Sequence, residues 1–127
     1  MKYLLDTHIF LWAITDDRRL RDVHRNIFGG GENELWLSVA SVWEVLIKTG
    51  VGKLALPVPV TGYILKQMEK NRVNLLPVRA SHLAALERLP LLHKDPFDRM
   101  LVAQANAEGM TILSDDAEIR KYATTVV

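Results

Sequence analysis

Short apolar runs bounded by turn-forming residues alternate along the chain with longer stretches whose apolar positions recur every three or four residues. The short runs are Tyr3–Leu5, Glu34–Leu37, Val73–Val78 and Met110–Leu113, with Thr124–Val127 as a candidate fifth. Their length and flanking residues favour strands over buried helix, and Pro77 puts the far end of the third at an edge or a bend. Between the strands the spacing predicts helices. One opens at Asp16 or Asp17 and runs to about Ile27. A second, capped by Ser38, places Val39, Val42, Trp43, Leu46 and Ile47 on one apolar face and stops at Gly50 in the left-handed terminal position. A third is opened by Thr61 and carries Ile64, Leu65 and Met68, and a fourth covers Ser81 to Leu89. The fifth has the clearest start: Asp95 caps it, Pro96 takes the first helical position, Asp98 falls where a capping-box acid belongs, and Gly109 ends it.

Strands alternating with helices predict an α/β fold with a mostly parallel sheet. There is no fixed-period repeat, and the glycine run at 29–31 reads as a loop. In such sheets ligands bind beyond the carboxyl ends of the strands, so the residues following each strand are the candidates for chemistry.

Composition narrows the picture. The 127 residues read as a single domain over 1–127. Hydrophobic residues make up 49% and charged residues 24%, which excludes a disordered chain. The chain has no cysteine, which removes a disulfide scaffold, a thiolate zinc site and a thiol nucleophile. No apolar run is long enough for a membrane span, and Asp6 interrupts the first apolar stretch before a secretory core forms. The expected location is therefore the cytoplasm, with no membrane partner.

The acids then stand out. Asp6 follows the first strand directly, and Asp115 and Asp116 follow the fourth. Asp98 lies in the first turn of the helix opened by Asp95 and Pro96, and Glu44 lies in the helix after the second strand. If strands one and four are neighbours, these groups converge on one pocket. Carboxylates gathered closely raise each other's pKa, and a hard divalent cation relieves the repulsion. Such a cation activates water and neutralises charge on phosphate, so the cluster suits phosphodiester hydrolysis. Each acid also has an ordinary reading. Glu44 can pair with Lys48 on an exposed helix face, Asp95 and Asp98 can simply cap, and one of Asp115 and Asp116 can cap a turn. Asp6 can cap the helix that follows it.

The segments Leu4-Leu5-Asp6-Thr7-His8, Ser41-Val42-Trp43-Glu44, His93-Lys94-Asp95-Pro96-Phe97-Asp98-Arg99-Met100-Leu101-Val102-Ala103-Gln104-Ala105 and Ile112-Leu113-Ser114-Asp115-Asp116 together resemble a PIN domain, in particular the VapC-type toxins of toxin–antitoxin pairs. The resemblance runs the length of the chain, in order. It implies a three-layer α/β/α fold and an Mg²⁺- or Mn²⁺-dependent endoribonuclease using one or two ions. It also implies that Asp6, Glu44, Asp98 and Asp116 are the metal-binding and catalytic acids, with Thr7, Asp95 and Ser114 as auxiliary groups and Asp115 in a variable place. It further implies a homodimer, a small cognate antitoxin that silences the toxin, and a structured RNA substrate of the transfer or ribosomal class, cut in single-stranded loops.

Basic and aromatic residues supply candidate RNA contacts. Arg18, Arg21 and Arg25 recur on one face of the first predicted helix, and Lys94 and Arg99 adjoin the acids, where they hold phosphate or pair internally. Trp12 is either a stacking platform or part of a packed face, whereas Trp36 and Trp43 read as core. The proline-broken stretch Leu54–Val60 is either a partner surface or a loop packed on the core. Nothing in the sequence brings two of His8, His24, His82 and His93 together for metal-free acid–base catalysis.

Two other classes are weighed. A Mg²⁺-dependent phosphoryl-handling domain wants a second acid just after Asp6, where Thr7 and His8 stand instead. A non-catalytic binding module conflicts with the presence of all four acids. The near balance of 16 basic and 15 acidic residues is compatible with an RNA partner. Setting aside the five acids Asp6, Glu44, Asp95, Asp98 and Asp116 leaves ten acids against those 16 bases, a basic surface around an acidic pocket.

Overall fold

The computed structural model describes residues 1–122 and 124–127. Four strands form one parallel sheet in the order β3-β2-β1-β4: β1 (Lys2–Leu5), β2 (Glu34–Ser38), β3 (Val73–Leu76) and β4 (Thr111–Leu113). The predicted fifth strand contributes a single parallel bridge, Val126 to Ile112, beside β4. Pro77 follows β3, which is the edge strand, as a residue without an N–H requires.

Strand alternation sorts the core into two faces. Tyr3, Leu5, Leu35, Leu37, Val73 and Leu113 point to one side. There α1 (Thr7–Ile14), α3 (Val39–Gly50) and α4 (Val60–Lys70) bring Ile9, Phe10, Val42, Val45, Ile64 and Met68 against them. Leu4, Leu76 and Ile112 point to the other side, onto Leu101, Val102 and Ala105 of α6 (Pro96–Glu108). The result is a three-layer α/β/α fold, as expected. α2 (Asp22–Gly29) and α5 (Ala80–Glu87) complete the α-helices among the described residues, and one 3₁₀ turn covers Ile119–Lys121. No helix among the described residues is long and apolar enough to cross a membrane.

The start of α6 is as predicted. The Asp95 carboxylate accepts from the backbone N–H of Phe97 (2.8 Å) and of Asp98 (3.3 Å), Pro96 opens the helix, and Gly109 closes it at φ 67°. Ser38 likewise caps α3 by accepting from Ala40 N–H at 3.0 Å.

Several expectations are corrected. The helix predicted from Asp16 or Asp17 to Ile27 begins only at Asp22, because Asp16 has φ 50° and the Asp17 carboxylate takes the backbone N–H of Arg19, closing a turn. Residues 7–14 form α1 instead. Their nearly unbroken apolar run from Ile9 to Ile14 hides helical periodicity. The Gly50 stop falls two residues later, where Gly52 has φ 78°. The third predicted helix is capped by Pro59 rather than Thr61. The buried face of α3 is Ala40, Ser41, Val42, Glu44 and Val45, so of the predicted apolar face only Val42 is buried. Trp43 is 61% exposed, and Val39, Leu46 and Ile47 are exposed with it, so Trp43 is not core. Trp36 is partly buried against the second cluster. Leu54 and Leu56 pack partly on the core, whereas Val58 is exposed.

Candidate functional site

The sheet order brings β4 beside β1, with Leu5 level with Leu113. β1 leads outward to β2 and β3 while β4 lies on its other flank, so the carboxyl end of β1 is the point where strand order reverses, the usual position of a ligand site in parallel sheets. Asp6 follows Leu5 there, and Ser114 to Asp116 follow Leu113. α3 and α6 bring Glu44 and Asp98 to the same edge.

The side chains are held in fixed relations. The Ser114 hydroxyl donates to Asp6 Oδ2 at 2.7 Å, and Ser114 Oγ in turn accepts from Asp116 N–H at 2.9 Å. Asp116 Oδ1 accepts from Glu118 N–H at 2.8 Å, so Asp116 is the member of the pair that caps the following turn. The Thr7 hydroxyl donates to Glu44 Oε1 at 2.7 Å, and Lys48 Nζ lies 3.2 Å from Glu44 Oε2. The ion pair read as the ordinary explanation of Glu44 is thus present, but on a residue only 7% exposed. Asp98 does not close a capping box. Its carboxylate accepts from His93 Nε2 at 2.8 Å, and the same nitrogen lies 3.7 Å from Asp116 Oδ2.

The electrostatics carry the mark of crowded acids. Burial pushes the Asp6 carboxyl upward, and the charges of Glu44 and Asp116 add to this; the Ser114 hydrogen bond and the His8 charge oppose it. Burial, then the charge of Asp6, lifts Asp98 to about 7 against the opposing pull of His93. Burial alone would lower the His93 pKa, but the bond to Asp98 and the surrounding acids outweigh it and hold the imidazolium up. Asp6 thus feels the charges of Glu44 and Asp116, and Asp98 that of Asp6.

One ligand atom each from His93, Asp98 and Asp116 lie within 4.8 Å of one another. The wider donor set is mostly hard carboxylate oxygen, and two of its carboxyls are costly to ionise as they stand. Both properties fit a hard divalent cation. His93 is the site residue that the sequence reading left out. Its signal was its place in the block that opens α6, five residues before Asp98, but only the folded loop shows that it faces the acids.

The basic candidates disperse. Arg18 lies in a turn, Arg21 is the residue preceding α2, and Arg25 is within α2, so they do not line one helix face. Arg21 pairs with Asp115 at 2.7 Å and Arg25 with Asp16. Arg99 donates to the Pro90 carbonyl (2.9 Å) and to Tyr122 Oη (3.0 Å), which gives it an internal role. Lys94 is exposed, and Arg18 with it.

The PIN domain family model matches residues 3–124. No curated protein matches the sequence. Among solved structures, VapBC2 from Rickettsia felis bound to a promoter DNA fragment is similar at TM-score 0.71 and 17% identity, over 100% of this chain and 98% of that one. VapBC-1 from nontypeable Haemophilus influenzae is similar at TM-score 0.69 and 15% identity, over 100% and 97%. FitAcB from Neisseria gonorrhoeae is similar at TM-score 0.64 and 16% identity, over 98% and 95%. At these identities the likeness is one of fold.

Proposed function

Because the chain belongs to the PIN domain family, we propose that it is a divalent-metal-dependent endoribonuclease whose acids Asp6, Glu44, Asp98 and Asp116 hold Mg²⁺ or Mn²⁺ and whose substrate is RNA. The observation that carries this reading is the meeting of Asp6, Asp98 and Asp116 at the strand-order reversal, with Asp6 and Asp98 both harder to ionise than ordinary carboxyls.

A cation bound there supplies neutralisation of the scissile phosphate and a more acidic water. The protein's own share is preorganisation. Ser114 fixes Asp6 and the backbone of Asp116 together, Thr7 and Lys48 fix Glu44, and His93 fixes Asp98. Asp95 contributes by capping α6, which sets the position of Asp98. The His93 imidazolium holds a proton between Asp98 and Asp116 and can return it as the pocket's charge changes. Direct hydrolysis leaves a 5′ phosphate and a 3′ hydroxyl, with no part for the 2′ hydroxyl.

Similar structures are VapBC and FitAcB assemblies. The chain is then the toxin of a toxin–antitoxin pair, silenced by a small antitoxin and acting on structured RNA such as transfer or ribosomal RNA. The exposed Trp43 joins two apolar grooves, one with Leu46 and Leu65 and one with Leu83, and this surface supports self-association as a dimer. Incubating total RNA with the purified protein in Mg²⁺, with and without EDTA, tests the core of this proposal: fragments are expected only with the metal.

A further inference from the structure

A second feature borders the acidic pocket and is not used by it. A cavity of about 350 Å³ opens between α1 and the loop before α4, lined among others by His8, Trp12, Arg19, Lys53, Leu54 and Leu56. His8 and Trp12 are one helical turn apart on α1, with ring centroids 5.9 Å apart and planes inclined by 49°. The Arg19 guanidinium lies over the Trp12 ring, 5.0 Å from its centroid. Asp17 holds that guanidinium by two hydrogen bonds, from Nε at 3.1 Å and from Nη2 at 2.8 Å. Asp17 thus orients the exposed guanidinium over the ring. Leu54 and Leu56 form an apolar wall that packs on the core. His8 stands in the first turn of α1, two residues after Asp6 at its N-cap, so the cavity adjoins the acids.

We propose that this cavity takes a nucleobase of single-stranded RNA beside the scissile phosphate, stacked in the array of His8, Trp12 and Arg19, with Lys53 on a flanking phosphate. This rests on the ribonuclease reading. An aromatic ring, a planar guanidinium and an apolar wall offer flat faces to a base of any sequence, and proteins that bind single strands stack bases in this way. The volume lies at the lower end for small-ligand pockets, which suits one nucleoside rather than a helix. Lys53 and Arg19 outweigh the one carboxylate in the lining, Asp17, which pairs with Arg19, and this net positive charge favours a polyanion over an apolar peptide.

The test is binding, not cleavage. Fluorescein-labelled octaadenylate is titrated with the protein in EDTA at low salt and read by polarisation. Trp12→Ala is expected to weaken binding about tenfold, and Trp12→Phe to stay within about threefold of wild type. Arg19→Ala, at an exposed position outside the core, is expected to weaken it at least about threefold. It serves where Trp12→Ala lowers the melting temperature. Lys53→Gln is expected to reduce the slope of log affinity against log salt by about one. Wild-type affinity in both Trp12→Ala and Arg19→Ala overturns the proposal, as does failure of the wild type to bind the oligonucleotide. Loss of a co-purifying protein partner with unchanged RNA affinity overturns it too, in favour of a protein-docking trough. Retained stacking-dependent binding without cleavage in Mg²⁺ would instead count against the nuclease reading alone.

Discussion

Ser114 and Asp6 are 108 residues apart in the chain and 2.7 Å apart in space, the serine hydroxyl donating to the carboxylate. The bond exists because β1 and β4 are parallel neighbours that end level with each other. Ser114 is fully buried and also accepts from Asp116 N–H. One hydroxyl therefore ties together two of the four acids, and the consequences can be measured.

Ser114→Ala leaves a buried carboxylate oxygen of Asp6 and the partly buried N–H of Asp116 without this partner. It is expected to destabilise the fold by about 1–3 kcal/mol, read as a lower denaturation midpoint with an unchanged slope. Ser114→Thr keeps the hydroxyl and is expected to recover part of the loss.

The crowded acids predict an unusual pH dependence without metal. A carboxyl whose folded pKa is raised, as for Asp98 at about 7, costs stability once the pH rises above its unfolded value near 4, and the full cost is reached above about 7. His93 is also raised, so its contribution is present below its unfolded value of about 6.5 and is lost as the pH climbs past its folded one. Both run in the same direction. The metal-free protein is expected to melt about 5–10 °C higher at pH 5.5 than at pH 8, and Mg²⁺ is expected to narrow the gap by stabilising mainly the alkaline side.

Asp98→Asn removes the cost at its source. At pH 8 in EDTA the variant is expected to melt above wild type while losing stabilisation by Mn²⁺. A variant that melts lower without metal and still responds fully to Mn²⁺ would show that Asp98 does not share the pocket's charge.

Tyr122 predicts a structural role for Arg99. The Tyr122 oxygen accepts from the backbone N–H of Leu92 (3.2 Å) and of His93 (2.9 Å) and from Arg99 Nη1. Tyr122→Phe strands three donors around the loop that carries His93 and is expected to lower stability by about 1–3 kcal/mol. Arg99→Ala is expected to lower stability without changing the salt dependence of RNA binding, as an internal partner would.

Much of this arrangement was legible in the sequence, for identifiable reasons. Asp95, Pro96 and Gly109 bound α6 because caps are local chemistry, and the strands showed as short apolar runs between turns. The parallel sheet followed from strand–helix alternation, but alternation does not set strand order, and only the folded sheet places β4 beside β1 and so Ser114 beside Asp6. α1 stayed hidden because the apolar run from Ile9 to Ile14 has no period to read. The apolar spacing of α3 was visible, but Trp43 and Ile47 lie on its exposed side, since an apolar stripe says nothing about which surface covers it. Arg18, Arg21 and Arg25 were misplaced by the turn at Asp16 and Asp17. His93 lay in a loop whose path depends on the long-range bond to Tyr122, which no local pattern reports.

The central claim is that the acids at the end of β1 and β4 carry metal-dependent RNA hydrolysis. Its most direct test compares wild type and Asp6→Asn on total RNA in Mg²⁺ and in EDTA, with sequencing of the new ends. Wild type in Mg²⁺ is expected to give fragments with 5′ phosphates, while EDTA abolishes cleavage and Asp6→Asn reduces it at least about a hundredfold with the fold intact. Cleavage that persists in EDTA, 2′,3′-cyclic ends, or a fully active Asp6→Asn protein would contradict it.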